Sequence, residues 1–297
     1  MRILVSGSHG LIGSAVAPAL RQSGHDVVRL VRSRPLSGGP AVAWDPMAGT
    51  IDAAGLEGLD AVVHLAGESI IGRWTDRKKA EIRDSRVMGT RRLAEALARR
   101  AKKLAVMLCA SATGYYGDRG DEPLREDSSP GSGFLADVCR EWEAAADPAR
   151  QAGIRVAHLR FGMVLGSSGG ALAKMLPAFR LGLGGPLGDG TQYVSWIALD
   201  EIARIVEYAL HAPSLAGPVN AVAPQAVTNR EFTKTLARVV RRPALFPVPR
   251  VAARLVFGEL ADALLFASQR VEPARLTSSG YRFEFPELEG ALRHAVQ

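Results

Sequence analysis

The chain opens with a short apolar run, three spaced glycines and a stretch in which apolar residues recur at helical spacing. Residues 3–5 (Ile-Leu-Val) are typical of a buried parallel strand, and residues 14–21 are typical of a helix. Gly7, Gly10 and Gly13 lie between them. Strand, glycine turn and helix in this order predict a dinucleotide-binding turn of the Rossmann type.

Each glycine has its own role in such a turn. Gly7 takes the tight turn, Gly10 lets the backbone approach a pyrophosphate, and Gly13 lets the helix pack closely on the strand. The first N–H groups of the helix then face the phosphates. Three turn glycines in an unrelated α/β protein are the alternative, but the order of elements favours a dinucleotide site. The cofactor-binding residues predicted in this turn are Gly7, Ser8, Gly10, Leu11, Ile12 and Gly13.

Apolar runs and helical patterns alternate along the rest of the chain. Strands are predicted at residues 26–31, around 44–45, at 59–68 with the exit from the strand, and at 104–111, 154–160 and 218–222. Helices are predicted at residues 74–100, 134–151, around 175, at 199–211, from about 229, and over 251–266. The alternation predicts an α/β fold, a Rossmann doubly wound parallel sheet with a smaller C-terminal substrate lobe. We expect the Rossmann domain at residues 1–165, with a return segment at about 191–225, and the lobe at 166–297.

Length, hydropathy and cysteine count narrow the class of protein. A chain of 297 residues with 47% hydrophobic residues fits a soluble globular protein of enzyme size. No stretch is long and apolar enough to span a bilayer, and a core strand stands where a signal sequence would be. Cys109 and Cys139 form neither a disulfide framework nor a metal-ligand spacing, so a cytoplasmic location is expected.

The net charge of +7 comes from arginine, since only six of the 37 basic residues are lysine. Basic pairs such as Arg99-Arg100 and Arg241-Arg242 are scattered on predicted helices without interleaved aromatic residues. This pattern predicts a solvated surface rather than a nucleic-acid groove, and no nucleic-acid or membrane partner is expected. An anionic cofactor would benefit from the positive field.

The residues after the second strand indicate which dinucleotide binds. An NAD-selective site carries an acidic residue here for the ribose 2′-hydroxyl, whereas this chain has Arg32, Ser33 and Arg34. Arg32 and Ser33 are therefore predicted to bind a 2′-phosphate, and NADP (NADPH) is predicted over NAD. A basic loop with no role in binding is the alternative.

Other residues are predicted to reach the cofactor because they lie near the carboxyl ends of strands, where α/β proteins bind ligands. The segment Leu65-Ala66-Gly67 is small where a cofactor ribose would pass. Arg86 either faces the cofactor or pairs with an acidic neighbour such as Asp84. The further cofactor-binding residues predicted are Leu65, Ala66, Gly67, Glu68, Arg86, Ala110, Arg160, Phe161 and Gly162.

Several motifs resemble those of a known superfamily. The glycine turn, His64-Leu-Ala-Gly67, Val87-Met-Gly-Thr90, Leu159 to Gly166 and Gly188-Asp-Gly190 resemble extended, epimerase-type short-chain dehydrogenase/reductases. Residues 110–117, 133–143 and 267–273 resemble more narrowly the atypical epimerase-family oxidoreductases, whose small C-terminal domain of unknown function is similar to residues 246–293. The resemblance implies a Rossmann fold, NADP(H) binding and an undefined substrate. Some members have been labelled cell-division regulators.

The catalytic residues depart from that superfamily. In its typical members a Tyr is the acid/base, a Lys four residues later lowers the Tyr pKa, and a Ser or Thr orients the substrate oxygen. Aligned on the shared motifs, Leu135 and Cys139 stand at the Tyr and Lys positions, and Ala112 stands at the Ser/Thr position. No Tyr-x-x-x-Lys occurs elsewhere in the chain.

Two functions therefore remain open. In the first, the protein is an NADP-dependent oxidoreductase or epimerase in which Tyr115 is the acid/base and Ser111 an orienting hydroxyl. Packing under a loop is the alternative role for Tyr115. In the second, the protein binds NADP(H) without turnover, as a redox-responsive regulator or scaffold. Monomer and homodimer are both compatible with the sequence.

Overall fold

The computed structural model describes residues 1–32, 39–100 and 104–297. Its strands are β1 (Arg2–Ser6), β2 (Asp26–Val31), β3 (Ala41–Asp45), β4 (Thr50–Ile51), β5 (Ala61–His64), β6 (Val106–Ala112), β7 (Pro123–Leu124), β8 (Arg155–Phe161), β9 (Met163–Leu165), β10 (Tyr193–Val194), β11 (Trp196–Ala198), β12 (Gly217–Ala221), β13 (Val227–Thr228) and β14 (Arg270–Val271). Its α-helices are α1 (Leu11–Gln22), α2 (Asp76–Ala98), α3 (Phe134–Ala144), α4 (Asp147–Gln151), α5 (Gly170–Arg180), α6 (Leu199–His211), α7 (Asn229–Val240), α8 (Arg250–Phe257), α9 (Ala274–Ser278) and α10 (Leu288–Val296). Turns of 3-10 helix cover Ala54–Leu56 and Thr113–Tyr116, and a π-helical turn covers Ala261–Leu265.

One large sheet organises the fold. Its strand order is β12-β8-β6-β5-β1-β2-β3-β4. All neighbours in it run parallel except β3 and β4, which are antiparallel. The strand order reverses between β1 and β5, and open α/β sheets bind their ligands at such a switch point. This topology confirms the predicted Rossmann doubly wound sheet.

The parallel strands are buried on both faces, which is why they occur as continuous apolar runs. In β1, Ile3 and Val5 belong to the core that contains α1 and α6, whereas Leu4 points to the opposite core, beneath α2. All three side chains are fully buried. In the predicted return segment, β12 adds the last strand at one edge of the sheet. α6 covers the same face of the sheet as α1.

Two predicted helices are interrupted. The helix predicted over residues 134–151 is divided into α3 and α4, with Pro148 in the first turn of α4. A continuous helix would set the Pro148 ring against the carbonyl of residue 144 and lose one hydrogen bond. The helix predicted over 251–266 ends at Gly258, whose positive φ of 61° stops α8 before the π-helical turn.

The C-terminal part of the chain builds a further core. Trp196 and Phe232 lie at the centre of a cluster formed by α5, α7 and α10 with β9 and β11. β9 and β11 pair in parallel, β10 pairs with β13, and β14 pairs with β7. Across residues 1–32, 39–100 and 104–297, we find no helix with the length and apolar character needed to cross a membrane.

Glu201 on α6 joins the tail to the sheet layer. Its side chain is fully buried. One carboxylate oxygen accepts a hydrogen bond from the Tyr281 hydroxyl, and the other accepts from the N–H groups of Glu284 (2.9 Å) and Phe285 (2.8 Å). A buried carboxylate needs such donors because it has lost its water.

We expect Glu201→Ala to lower the free energy of unfolding by about 3 kcal/mol, because three donors lose the buried acceptor that they share. Urea denaturation measures the change, and limited proteolysis shows whether cleavage begins within residues 279–297. Glu95→Ala is the control, since the half-exposed Glu95 forms only a loose pair with Arg99 (3.9 Å) and its loss should change stability by less than about 0.5 kcal/mol. Equal effects of the two substitutions would contradict this role for Glu201.

Candidate cofactor and active site

The glycine turn between β1 and α1 is packed too closely to hold side chains. Gly7 has a positive φ of 67°, and a β-carbon there would lie 2.7 Å from the Leu65 backbone carbon. A β-carbon on Gly13 would overlap the carbonyl oxygen of Gly7. The N–H group of Gly10 donates to the same Gly7 carbonyl at 2.9 Å, which closes the turn. These contacts leave a bare backbone cradle beside the start of α1.

The start of α1 is free of competing side chains. Gly10 is the N-cap, no side chain caps the helix, and its first turn has no acidic residue. The unbonded N–H groups of this turn therefore suit an anion. Leu11 packs against the glycine-rich residues 166–170, and a β-carbon on Gly170 would lie 2.8 Å from the Leu11 side chain. Ile12 is partly buried and packs against the core under α1.

A cavity of about 360 Å³ lies beside the turn, between α1 and β2. Ser8, His9, Arg21 and Arg29 contribute to its lining. Within the part of the chain that the structure describes, Nε and Nη2 of Arg29 and Oγ of Ser8 are buried and have no hydrogen-bond partner. Buried donors are rarely left without a partner unless a ligand or water serves them. Next to the cradle, the cavity thus offers the Arg29 guanidinium and the Ser8 hydroxyl to a ligand, and the exposed Arg21 also lines it.

Arg32 follows β2 directly and is exposed. Ser33, which was predicted to act with it, lies outside the described residues. The sequence interpretation missed Arg29, because a single arginine inside an apolar strand does not show which groups will surround it. Its unpartnered nitrogens become visible once α1 is placed over the strand.

A buried hydrogen-bond network holds the segment after β5. Ser6 Oγ accepts from the N–H groups of Leu65 (3.0 Å) and Ala66 (3.1 Å), so its own proton points to His64 Nδ1 at 2.7 Å. His64 Nε2 then carries the ring proton and donates to Thr90 Oγ1 at 3.0 Å. Burial lowers the pKa of His64 from 6.5 to about 4, so the ring is neutral. His64 is a structural residue that fixes Leu65 and Ala66.

Arg86 reaches the next residues of the same segment from α2. Its Nη1 donates to the carbonyl oxygens of Glu68 (2.9 Å) and Ile82 (3.1 Å), and a β-carbon on Gly67 would lie 3.2 Å from the guanidinium carbon. The guanidinium also lies over the Trp142 ring, 5.1 Å from its centroid. Arg86 therefore lies against Gly67 and bonds backbone carbonyls.

Glu68 pairs with a lysine of α2. Its Oε1 accepts from Lys78 Nζ at 2.6 Å, and that hydrogen bond holds the pKa of the carboxyl below its usual value. The backbone N–H of Glu68 donates to Ser85 Oγ at 3.0 Å. Of the predicted segment, Leu65 and Ala66 flank the cradle most closely, because Gly7 packs on their backbone.

Arg160 was predicted to reach the cofactor, but the structure places its guanidinium inside the protein. Nε and Nη2 form two hydrogen bonds of 2.8 Å to the two carboxylate oxygens of Glu143 on α3. Nη1 donates to the Tyr116 hydroxyl at 2.9 Å, and Tyr116 donates in turn to Asn220 Oδ1 at 2.7 Å. Ser111 Oγ donates to Glu143 Oε1 at 2.7 Å. We call these five residues the Arg160 network.

The Arg160 network engages two groups that the sequence interpretation had assigned to ligands, the Ser111 hydroxyl and the Arg160 guanidinium. The predicted orienting hydroxyl of Ser111 is buried and bonded to a carboxylate. Burial raises the pKa of Tyr116 to about 12, although Arg160 partly opposes the shift. Glu143 and Asn220 were missed as network members. The signal for Asn220 was available, because an amide in an otherwise apolar predicted strand needs a partner.

Tyr115 lies at the surface of this network. Its ring stacks on the Arg160 guanidinium, with 3.5 Å between the guanidinium carbon and the ring centroid. The Tyr116 ring meets it edge to face at 5.3 Å between centroids. Among the described residues no group bonds the Tyr115 hydroxyl, so a fixed ring carries an unengaged phenol.

The positions aligned with the family's Tyr and Lys lie beneath the turn that carries Tyr115. A β-carbon on Gly114 would lie 3.5 Å from Leu135 Cβ and 3.9 Å from Cys139 Sγ. Leu135 belongs to an apolar cluster with Trp74. Burial raises the pKa of Cys139 to about 12, and the nearby Arg86 only partly offsets this. The thiol is therefore protonated and unreactive at neutral pH.

The remaining predicted residues serve packing. Ala110 and Phe161 are buried in the core under α1 and α6. Gly162 makes room for the chain before β11, because a β-carbon there would lie 2.6 Å from the Ser195 carbonyl oxygen.

Comparison with known proteins identifies the family. Residues 3–222 match the NAD dependent epimerase/dehydratase family. The chain belongs to this family. Residues 248–295 match a domain of unknown function, DUF1731. Together the two matches confirm the resemblance drawn from the motifs.

Relatives in the epimerase/dehydratase family match over the whole chain. An epimerase family protein of Mycobacterium bovis is 43% identical over 295 residues, which cover 99% of this chain and 97% of that protein. The human epimerase family protein SDR39U1 is 38% identical over 305 residues, with both chains covered completely. A crystal structure of human SDR39U1 (isoform 2) with NADPH superposes with a TM-score of 0.90 at 37% identity, covering 99% of each chain.

More distant members share the fold alone. MoeE5 in complex with UDP-glucose and NAD superposes with a TM-score of 0.76 at 21% identity, covering 100% of this chain and 98% of that one.

We expect stability to fall in mild acid because His64 is buried as the neutral ring. Its folded pKa of about 4 lies below the unfolded value of 6.5, so between these pH values the unfolded chain takes up a proton that the folded protein does not. From pH 6.5 to 4, this one group should reduce the free energy of unfolding by up to about 1.4 kcal/mol per pH unit.

Urea denaturation across this pH range measures the slope. His64→Gln should flatten it, whereas His294→Gln should not, because His294 is exposed and pairs with Asp200 at the surface. An unchanged slope in His64→Gln would contradict the assignment.

Proposed function

We propose that this protein is an NADP(H)-dependent oxidoreductase whose acid/base is Tyr115, in place of the usual Tyr-Lys pair. The observation that carries the cofactor assignment is the cavity beside the glycine turn, where Arg29 and Ser8 have buried polar atoms without partners. The NADPH in the crystal structure of human SDR39U1 supports the same assignment. The substrate is left undefined.

The residues present fit a dinucleotide with a 2′-phosphate. Gly7, Gly10 and Gly13 would hold the pyrophosphate against backbone N–H groups at the start of α1. Arg29, Ser8 and the exposed Arg32 would hold the 2′-phosphate, since arginine binds phosphate with several fixed donors.

Arg86 is the cation that we assign beside the cofactor ribose. It lies against Gly67 and close to Cys139, the position aligned with the family's Lys. Trp142 and two backbone carbonyls fix its guanidinium. A fixed guanidinium at this place would offer hydrogen-bond donors to the ribose.

Tyr115 would exchange the proton. Its ring is held by Arg160, and its hydroxyl is unengaged among the described residues. Bound NADPH would supply the hydride. Ser111 has no part in this proposal, because its hydroxyl is bonded to Glu143.

A non-catalytic NADP(H)-binding regulator or scaffold is the second candidate. The observation that favours it is the apolar and inert character of α3, where Leu135 packs into a cluster and the Cys139 thiol stays protonated. Under this alternative, binding would remain while Tyr115 would serve only as packing.

For the cofactor, we expect NADPH to bind more tightly than NADH in calorimetric titrations. Arg32→Ala and Arg29→Met should each weaken NADPH binding roughly tenfold or more, because a charged hydrogen bond is worth about 1.5–3 kcal/mol, and should leave NADH binding nearly unchanged. Arg29→Met keeps the buried stem of the side chain. Arg99→Ala, at an exposed site at the end of α2, is the control and should change neither affinity. Equal affinity for the two cofactors would refute the NADP assignment.

For catalysis, we expect NADPH oxidation with at least one class of carbonyl substrate, from a panel of quinones, aldehydes and ketones followed by absorbance. Tyr115→Phe should reduce kcat by roughly 10²–10⁴-fold, the usual contribution of a positioned acid, without changing NADPH affinity. Tyr208→Phe is the matched control, since it removes a hydroxyl bonded to the Ser279 carbonyl outside the site.

Full turnover in Tyr115→Phe would exclude Tyr115 as the acid. Tight NADPH binding without turnover of any substrate class would favour the regulator.

A further inference from the structure

Three potential metal ligands meet at the amino ends of the parallel strands, at the end of the sheet opposite the glycine turn. His25 lies between α1 and β2, immediately before β2 begins. Glu207 and His211 lie one helical turn apart on α6, which packs beside α1. Since the carboxyl ends of the parallel strands carry the proposed cofactor site, this cluster lies at the far side of the Rossmann layer. From its geometry, we infer that His25, Glu207 and His211 form a binding site for a divalent transition metal of the Zn²⁺ class.

The distances fit a shared ion. His25 Nε2 lies 3.0 Å from each carboxylate oxygen of Glu207, and His211 Nε2 lies 3.3 Å from Oε1 of the same residue. One ligand atom from each residue falls within 4.8 Å of the others. In a tetrahedral site with bonds of about 2.0–2.1 Å, ligand atoms are separated by roughly 3.3 Å. Two of the three separations therefore already match.

The burial of the three ligands differs in a useful way. The His25 side chain is 7% exposed and Glu207 is 31% exposed, so the two are held by their surroundings. His211 is 58% exposed and can rotate to close the longest separation. The two imidazole rings are stacked, with 5.9 Å between centroids.

The chemistry of the donor set selects the ion. Two imidazoles and one carboxylate, with a position left for water, form a donor set typical of Zn²⁺ and also accepted by Co²⁺ and Ni²⁺. Mg²⁺ prefers oxygen ligands and should bind poorly. A bound ion would tie the turn before β2 to the C-terminal turn of α6. The site is thus a structural clamp, separate from the proposed function and independent of it.

The full chain, treated with EDTA and then freed of chelator, should be titrated with Zn²⁺ at pH 7.5. We expect one equivalent to bind by calorimetry, a rise in Tm, and visible d–d absorption of a low-symmetry site when Co²⁺ replaces Zn²⁺. His211→Ala and Glu207→Gln should each weaken Zn²⁺ binding at least roughly tenfold. Because His211 is exposed, its substitution should leave the fold intact.

His294→Ala is the matched control. His294 also pairs with a carboxylate, Asp200, but no second imidazole joins that pair, so its substitution should leave Zn²⁺ binding unchanged. The inference is overturned if Zn²⁺ gives no saturable binding, if His211→Ala binds as tightly as the unmodified chain, or if Mg²⁺ binds equally well.

Discussion

The buried ion pair between Arg160 and Glu143 is the interaction on which the geometry of the candidate site depends. Arg160 is 2% exposed and Glu143 13% exposed, so both charges have lost most of their water. Two parallel hydrogen bonds and further bonds to Ser111 and Tyr116 compensate for that loss. The pair joins β8 to α3 and fixes β6 and the 3-10 turn beside them. Tyr115, stacked on the same guanidinium, thereby acquires a fixed position on an otherwise short turn.

The C-terminal segment extends this network. The side-chain oxygen of Asn220, on β12, accepts a hydrogen bond from the Tyr116 hydroxyl. Its Nδ2 donates to the carbonyl oxygen of Glu272 at 2.9 Å. Glu126 accepts from the N–H groups of Asn220 and Arg275, both at 3.1 Å. Residues far apart in the chain therefore close one side of the site. Residues 272 and 275 thus contribute to the site through their backbone groups.

The proposed cofactor binding and the proposed proton transfer depend on different features of this fold. The backbone cradle consists of atoms whose packing excludes any side chain at Gly7 and Gly13. The proposed proton transfer depends on a few side chains, and Leu135 and Cys139, which the sequence interpretation aligned with the usual Tyr and Lys, lie on α3. Because the cradle belongs to the turn between β1 and α1, it can persist while side chains on α3 change.

Local patterns along the sequence were sufficient for the main elements and for the cradle. β1, the glycine turn and α1 depend on residues within one short stretch, and α6 was predicted at residues 199–211, where it occurs, because one helix face is continuously apolar. The sequence shows Pro148 and Gly258, but whether each residue interrupts its predicted helix depended on the structure around it. DUF1731, matched over residues 248–295, had also been foreseen from its motifs.

Tertiary structure alone decided which charged groups are available. Arg160, on β8, was expected at the cofactor, yet its partner Glu143 comes from α3 and Tyr116 from a turn 44 residues away. Arg29 was unremarked in the sequence, and packing of α1 left it without a partner among the described residues. A side chain's chemical type is local information. Its availability depends on which distant groups share its buried surroundings, because only burial makes an unpaired charge costly.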